Sequence, residues 1–289
     1  MVTTTASLDD LRRRIDAIDD EMHDLIMRRA ELVEAIAGAK KRGKVPVIRP
    51  GREAVILRRL MERHHGHFPR AALVRIWREI FSGTVAMQGG LTVAIGSPEE
   101  ATGCWDLVRD HFGSQARLVT FAESDDILRA VAEGRAAVGV LPLPYDETRE
   151  RWWHELAFAA PGTPRVVARL PVGGRGNARD EVDALVVSCA GTDPSGTDRS
   201  LLVLEMRGEL SRVGLGVVLM DAGLSTMMLI TSDPKAEVVW KLVEADGLVA
   251  AEDPRLLTLR ERLGEQLLRV AVLGAYARPL SAAAGAAAG

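Results

Sequence analysis

Between Ser7 and Lys41 the apolar residues fall at Leu8, Leu11, Ile15, Ile18, Met22, Leu25, Leu32 and Ile36. The steps alternate between three and four, which predicts one long amphipathic helix. One step is broken: between Leu25 and Leu32 the seam position is Arg29, a fixed cation where an apolar residue belongs. An unpaired buried charge is very costly, so Arg29 must either snorkel to water or meet an anion. Lys40 follows eleven residues later, about 20° around the helix from Arg29 at 100° per residue. Two cations on one packing face read as an anion pocket built into a helical core.

Thr3, Thr4, Thr5 and Ser7 offer an N-cap, and Asp9 and Asp10 suit the first turn. The helix runs to about Lys41, roughly 50 Å, too long to bury its seam within a small domain. Gly43 stops it, and Val45, Pro46 and Val47 form an extended link. Pro50 opens a second helix with Glu53, Leu57, Leu60 and Met61 on one face, ended by His64, His65, Gly66 and His67. Pro69 starts a third helix carrying Leu73, Ile76, Trp77, Ile80, Phe81, Thr84 and Gln88, and Gly89 and Gly90 close it.

From Leu91 the period changes. Strands are expected at 92–95, 117–121 and 137–141, with helices at 98–112, 125–133 and 146–156, an α/β alternation. Residues 162–180 read as loop, and Gly173, Gly174 and Gly176 follow no strand-to-helix pattern that would cradle phosphate. A strand is expected at 183–188. From Ser200 the order strand, helix, strand, strand, helix, strand fits a ferredoxin-like unit. The expected organisation is multidomain: an all-α three-helix unit at 1–90, an α/β region at 91–182, and an α+β ferredoxin-like unit with its preceding strand at 183–280. Residues 281–289, alanine and glycine only, are expected to be disordered.

Composition narrows the function. The chain has 289 residues, 47% of them hydrophobic, so it can bury real cores. A net charge of −3 gives no electrostatic footprint for nucleic acid or an acidic membrane. Cys104 and Cys189 form no metal spacing and no disulfide framework, which suits a reducing, cytoplasmic setting. No apolar leader and no run near ~20 apolar residues is visible.

Each N-terminal helix breaks its apolar stripe with polar residues: Arg29 and Lys40 on the first, Arg52 and Glu53 on the second, Thr84 and Gln88 on the third. Taken singly, each has a plain explanation. Arg29 could be a core-edge arginine with its head in water, Glu53 a dipole partner, Gln88 a surface residue at a helix end and Thr84 a helix filler. Packed together, they converge cations, a carboxylate and an amide on a shared interior. Arg12 lies 28 residues before Lys40, about 42 Å along a straight helix. No small ligand touches both from one copy, so Arg12 is either a solvated arginine or reaches the site of a second subunit in an isologous dimer.

The N-terminal ~90 residues resemble the all-helical chorismate mutases. The likeness rests on Leu11-Arg12-Arg13-Arg14-Ile15-Asp16-Ala17-Ile18-Asp19, on Arg29, on Ala39-Lys40, on Arg52-Glu53, and on Thr84 with Gln88. It implies an intertwined homodimer that converts chorismate to prephenate, in aromatic amino acid biosynthesis, without metal or cofactor. It also implies that Arg29 and a second subunit's Arg12 bind the substrate carboxylates. Lys40 and Gln88 would contact the ether oxygen, and Glu53 the ring hydroxyl, with Arg52 and Thr84 completing the pocket. Arg49 stands where that family often has an acid, and its backbone would serve instead. The region from Leu91 resembles the prephenate dehydratase part of bifunctional P-proteins, through Val140-Leu141-Pro142-Leu143. The tail resembles a regulatory ACT domain, through Arg207-Gly208-Glu209-Leu210-Ser211 and Val272-Leu273-Gly274-Ala275-Tyr276. The dehydratase's Thr-Arg-Phe motif is missing, with Asp183-Ala184-Leu185 near its place, and Thr231-Ser232-Asp233-Pro234 replaces the effector motif Glu-Ser-Arg-Pro. The expectation is a mutase with a catalytically degenerate appendage. An active bifunctional enzyme and a non-catalytic ACT-containing regulator are the alternatives.

Overall fold

The computed structural model describes residues 7–40, 48–97, 103–144, 152–157, 160, 162–174, 176–178, 182–208, 210–232 and 236–280. Helix α1 spans Leu8–Lys40, α2 Pro50–Glu62 and α3 Arg70–Met87. Ser7 caps α1, its Oγ accepting from Asp10 N at 3.1 Å, with Asp9 and Asp10 in the first turn. Pro50 opens α2 as expected from its fixed φ. The caps Thr3–Thr5, the stop at Gly43, the link at 45–47 and the tail 281–289 lie outside the described residues.

The α/β half follows as β1 (Thr92–Gly96), α4 (Cys104–Phe112), β2 (Arg117–Phe121), α5 (Ser124–Ala132) and β3 (Val138–Pro142). The three strands are parallel in the order β2-β1-β3. Helix α6 (Trp152–Ala157) covers the end of the helix expected from Asp146; residues 145–151 lie outside the description.

One strand was not legible in the sequence. Residues 165–170, expected as loop, form β4 (Arg165–Leu170), with Val166, Val167, Ala168 and Leu170 buried. Two arginines disguise it. Arg165 donates to Val272 O at 2.8 Å, while Arg169 pairs with Asp183 at 2.7 Å and Glu244 at 2.8 Å. β4 pairs antiparallel with β5 (Ala184–Ser188), and β5 pairs antiparallel with β3. Strand β5, expected to lead into the third unit, is thus laid into the α/β half.

The third unit is β6 (Asp198–Arg207), α7 (Arg212–Asp221), β7 (Thr226–Thr231), β8 (Val238–Asp246), α8 (Pro254–Leu263) and β9 (Leu267–Ala277). Its antiparallel order β9-β6-β8-β7 places the first and third strands in the middle, as a ferredoxin-like unit does. The two halves join as one nine-stranded sheet through a single β4–β9 pair, Val166 with Gly274. A hydrophobic core follows the join, with Ile127, Leu141, Trp153 and Leu185 from one half and Leu201, Leu242, Leu273 and Tyr276 from the other. Helices α2 and α3 bury a smaller cluster of their own, Leu57, Val74 and Phe81.

Gly274 has φ of +146°, and a Cβ there would sit 2.1 Å from Val166 O. Gly274→Ala is therefore expected to lose about 2–4 kcal/mol, by overpacking and backbone strain at the join. Its urea midpoint should fall clearly below that of the unsubstituted chain; an unchanged midpoint would contradict this reading of the join.

Candidate functional site

Arg29 leaves the seam of α1 and lies against α3. Its Nη1 donates to Thr84 Oγ1 at 2.7 Å. Its guanidinium carbon stands 5.8 Å from the Trp77 ring centroid and 5.9 Å from that of Phe81. Ring faces attract cations, but far less than a carboxylate would. Burial alone pulls the Arg29 pKa down, because no anion there offsets the lost hydration. The sequence reading left two fates open for Arg29. Among the described residues it neither pairs with a carboxylate nor stands free in water.

Thr84 relays this contact. Its hydroxyl donates to Ile80 O at 2.8 Å, and Gln88 Nε2 donates to Thr84 O at 3.2 Å. Arg29 and Gln88 therefore meet at Thr84, one on its hydroxyl and the other on its backbone carbonyl. Gln88 caps the end of α3 and is half-buried rather than a loose surface residue.

Glu53 lies one step further along. It accepts from Arg78 Nη1 at 2.6 Å, and the Arg78 guanidinium lies 5.9 Å from the same Phe81 ring. Phe81 is thus flanked by two arginines, one paired and one not. Arg78 is only 4% exposed. Burial raises the Glu53 pKa; the Arg78 cation opposes this and the Asp193 carboxylate adds to it. On Arg78, burial acts downward and Glu53 upward. His111 on α4 is held well below the usual histidine range by burial and then by the Arg78 charge, so it stays neutral. A cavity of about 20 Å³ lies between Glu53, Phe81, Ser82 and His111. It has room for a single water, not for an organic ligand.

The remaining expected residues are dispersed. Arg49 precedes α2 and pairs with Asp193 at 2.7 Å, and the Arg52 side chain is exposed. Lys40 ends α1, but its side chain lies outside the described residues. Arg12 is exposed and pairs only locally, with Asp9 at 3.3 Å. It lies about 25 Å along the helix from Arg29, by the helical rise. The whole expected seam of α1 is uncovered, with Leu25 60% and Leu32 67% exposed.

Sequence reasoning missed Arg78 and Asp193. Arg78 carried a visible signal, since it falls four residues after Val74 and three before Phe81, inside an apolar stripe. Asp193 carried none, being 141 residues from the amide it accepts from.

Residues 11–89 match the family described as Chorismate mutase type II. The chain is 34% identical over 138 residues to the bifunctional chorismate mutase/prephenate dehydratase of Pseudomonas aeruginosa. That alignment takes in 46% of this chain and 38% of the relative, so the chain spans well under half the length of the protein it resembles. The alignment is longer than the 11–89 match and so reaches beyond the three helices. Two solved structures overlap more loosely. A protein titled as a novel type of quorum quenching acylase, GqqA, is 15% identical at a TM-score of 0.47, covering 66% of this chain and 95% of its own. The prephenate dehydratase of Arthrobacter aurescens in complex with L-Phe is 14% identical at 0.45, covering 65% and 90%. At TM-scores below 0.5 neither overlap bears on fold or activity.

The Glu53–Arg78 pair sets a stability test. Arg78→Met leaves the Glu53 carboxylate buried without its partner, which typically costs about 3–5 kcal/mol. Adding Glu53→Gln should recover much of that loss, as read from urea unfolding. Equal losses in the single and double variants would show that the pair is not what holds α2 on α3.

Proposed function

We propose that the helical region is a chorismate mutase acting on chorismate as a homodimer. The observation that carries this is Arg29: a half-buried guanidinium held by a hydroxyl and two ring faces, with no carboxylate against it among the described residues. Such a cation is pre-set for an incoming anion. The family match over residues 11–89 names the anion.

The reaction suits these residues. The rearrangement of chorismate to prephenate is unimolecular and needs no nucleophile. The protein must hold a compact conformer of a dicarboxylate and stabilise charge as it builds on the breaking ether oxygen. In this reading Arg29 takes one carboxylate and Arg12 of a second copy takes the other. Gln88 and Lys40 donate to the ether oxygen, and Gln88 Nε2 gives up its Thr84 carbonyl to do so. Glu53 accepts from the ring hydroxyl; Arg49, Arg52 and Thr84 close the pocket. The uncovered seam of α1 supports the second copy, since an apolar stripe of that length calls for a partner and isologous pairing of two such helices provides one.

We read the C-terminal region as lacking dehydratase activity. Where the dehydratase motif would stand, Asp183 is tied to Arg169 and Ala184 begins a fully buried strand. The bifunctional relative is the reason to test this directly.

The purified chain should consume chorismate, followed by absorbance, and sediment as a dimer. Arg29→Ala and Lys40→Ala should each lose about 10²-fold or more in rate, as removal of one oxyanion donor does. No chorismate loss, or normal turnover by Arg29→Ala, would refute the mutase reading. Phenylpyruvate formed from prephenate would refute the inactive appendage. The pH profile follows from Glu53. Only its carboxylate accepts the hydroxyl, and burial makes it hold its proton to higher pH. The acid limb of kcat/KM should therefore lie above the ordinary carboxylate range; a limb within or below that range would remove Glu53 from this role.

A further inference from the structure

We infer that Asp193 is a positioning residue for the mutase site, supplied by the segment between β5 and β6 to the first turn of α2. The inference rests on the mutase reading above and concerns what holds that site in shape.

The first turn of α2 lacks an acceptor of its own. A helix start leaves backbone N–H groups unpaired, and the residue just before the helix normally supplies a side-chain oxygen to one of them. Here that residue is Arg49, which has only donors and makes no side-chain cap. Pro50 has no N–H to satisfy. The amides of Gly51 and Arg52 remain, and Asp193 Oδ2 accepts from that of Arg52 at 2.9 Å. The other oxygen, Oδ1, accepts from Arg49 Nη2 at 2.7 Å. One carboxylate thus supplies the missing cap and neutralises the cation that cannot cap, and the helix dipole favours its charge there.

The approach is backbone to backbone. A Cβ on Gly51 would sit 1.8 Å from Asp193 O, so only glycine lets the two segments meet this closely. Further along α2, Arg58 donates to Ser195 O at 2.9 Å, Ser195 Oγ at 3.1 Å and Thr197 O at 3.2 Å. Asp198 organises the segment from within, accepting from Ser195 N at 3.0 Å and from Ser195 Oγ at 2.6 Å. Helix α2 is therefore gripped at its first turn and again at Arg58 by one ordered stretch anchored in the sheet. Arg52 and Glu53 sit on the gripped turn. The sheet region is then a structural part of the mutase site, not a passive extension of it.

The test uses the full chain. Asp193→Ala should lower kcat/KM about tenfold with circular dichroism unchanged, the scale expected when binding groups shift by a fraction of an ångström. Asp193→Asn keeps an acceptor next to the Arg52 amide and should hold kcat/KM to within about threefold of the unsubstituted chain. It also serves where the alanine variant fails to fold. The charges that act on Glu53 are Arg78 from α3 and Asp193, and His111 of α4 lines the same cavity. Removing the Asp193 charge from that set eases ionisation of Glu53, so the acid limb of Asp193→Asn should move to lower pH. An unsubstituted chain that does not consume chorismate overturns the mutase reading. An active one whose Asp193→Ala variant is equally active, whose Asp193→Asn variant falls as far as the alanine variant, or whose Asp193→Asn variant keeps the same acid limb overturns this inference.

Discussion

A guanidinium half out of water, with no carboxylate beside it among the described residues, governs the helical region. Arg29 is fixed by Thr84 and by the faces of Trp77 and Phe81, contacts that orient a cation but do not neutralise it. The desolvation stays uncompensated until an anion arrives. Next to it, across the same Phe81 ring, Arg78 is buried more deeply and is neutralised by Glu53. The two arginines border one ring and differ: Arg78 is neutralised in the core, and Arg29 is, in the mutase reading, the cation that meets the substrate.

That arrangement needs support, and it comes from two directions. On one side α1 runs past its contact with α3 and carries a bare apolar stripe, which makes sense if a second copy covers it and brings Arg12 along. On the other side the nine-stranded sheet holds α2 through Asp193 and Arg58. The stripe lies on Arg29's own helix, whereas Asp193 comes from beyond the whole α/β half. A region that appears separable along the sequence is tied to the helices by hydrogen bonds to backbone groups that need them.

The three helices were legible because apolar periodicity is local, and Arg29 stood out as the residue that broke it. The ferredoxin-like order of β6 to β9 was legible for the same reason. Strand β4 was not. Arg165 and Arg169 make it read as polar, and they are satisfied by Val272, Asp183 and Glu244 across the sheet. The place of β5 was hidden too, since strand pairing with β3 and β4 is non-local. Of the candidate residues, Arg29, Thr84 and Gln88 lie together, and Glu53 adjoins them through Arg78 and Phe81. Asp193 lay beyond reach, although Arg49, unable to cap its own helix, marked the vacancy that a distant acceptor fills.

The most direct measurement is calorimetric titration of prephenate, a dicarboxylate the site would hold without turning it over, into the full chain and into Arg29→Gln. If Arg29 is an anion's unfilled partner, the unsubstituted chain binds with favourable enthalpy and the glutamine variant binds at least about tenfold more weakly, the scale of one charge-assisted contact. Equal affinity in the two proteins, or no binding to either, would contradict the account.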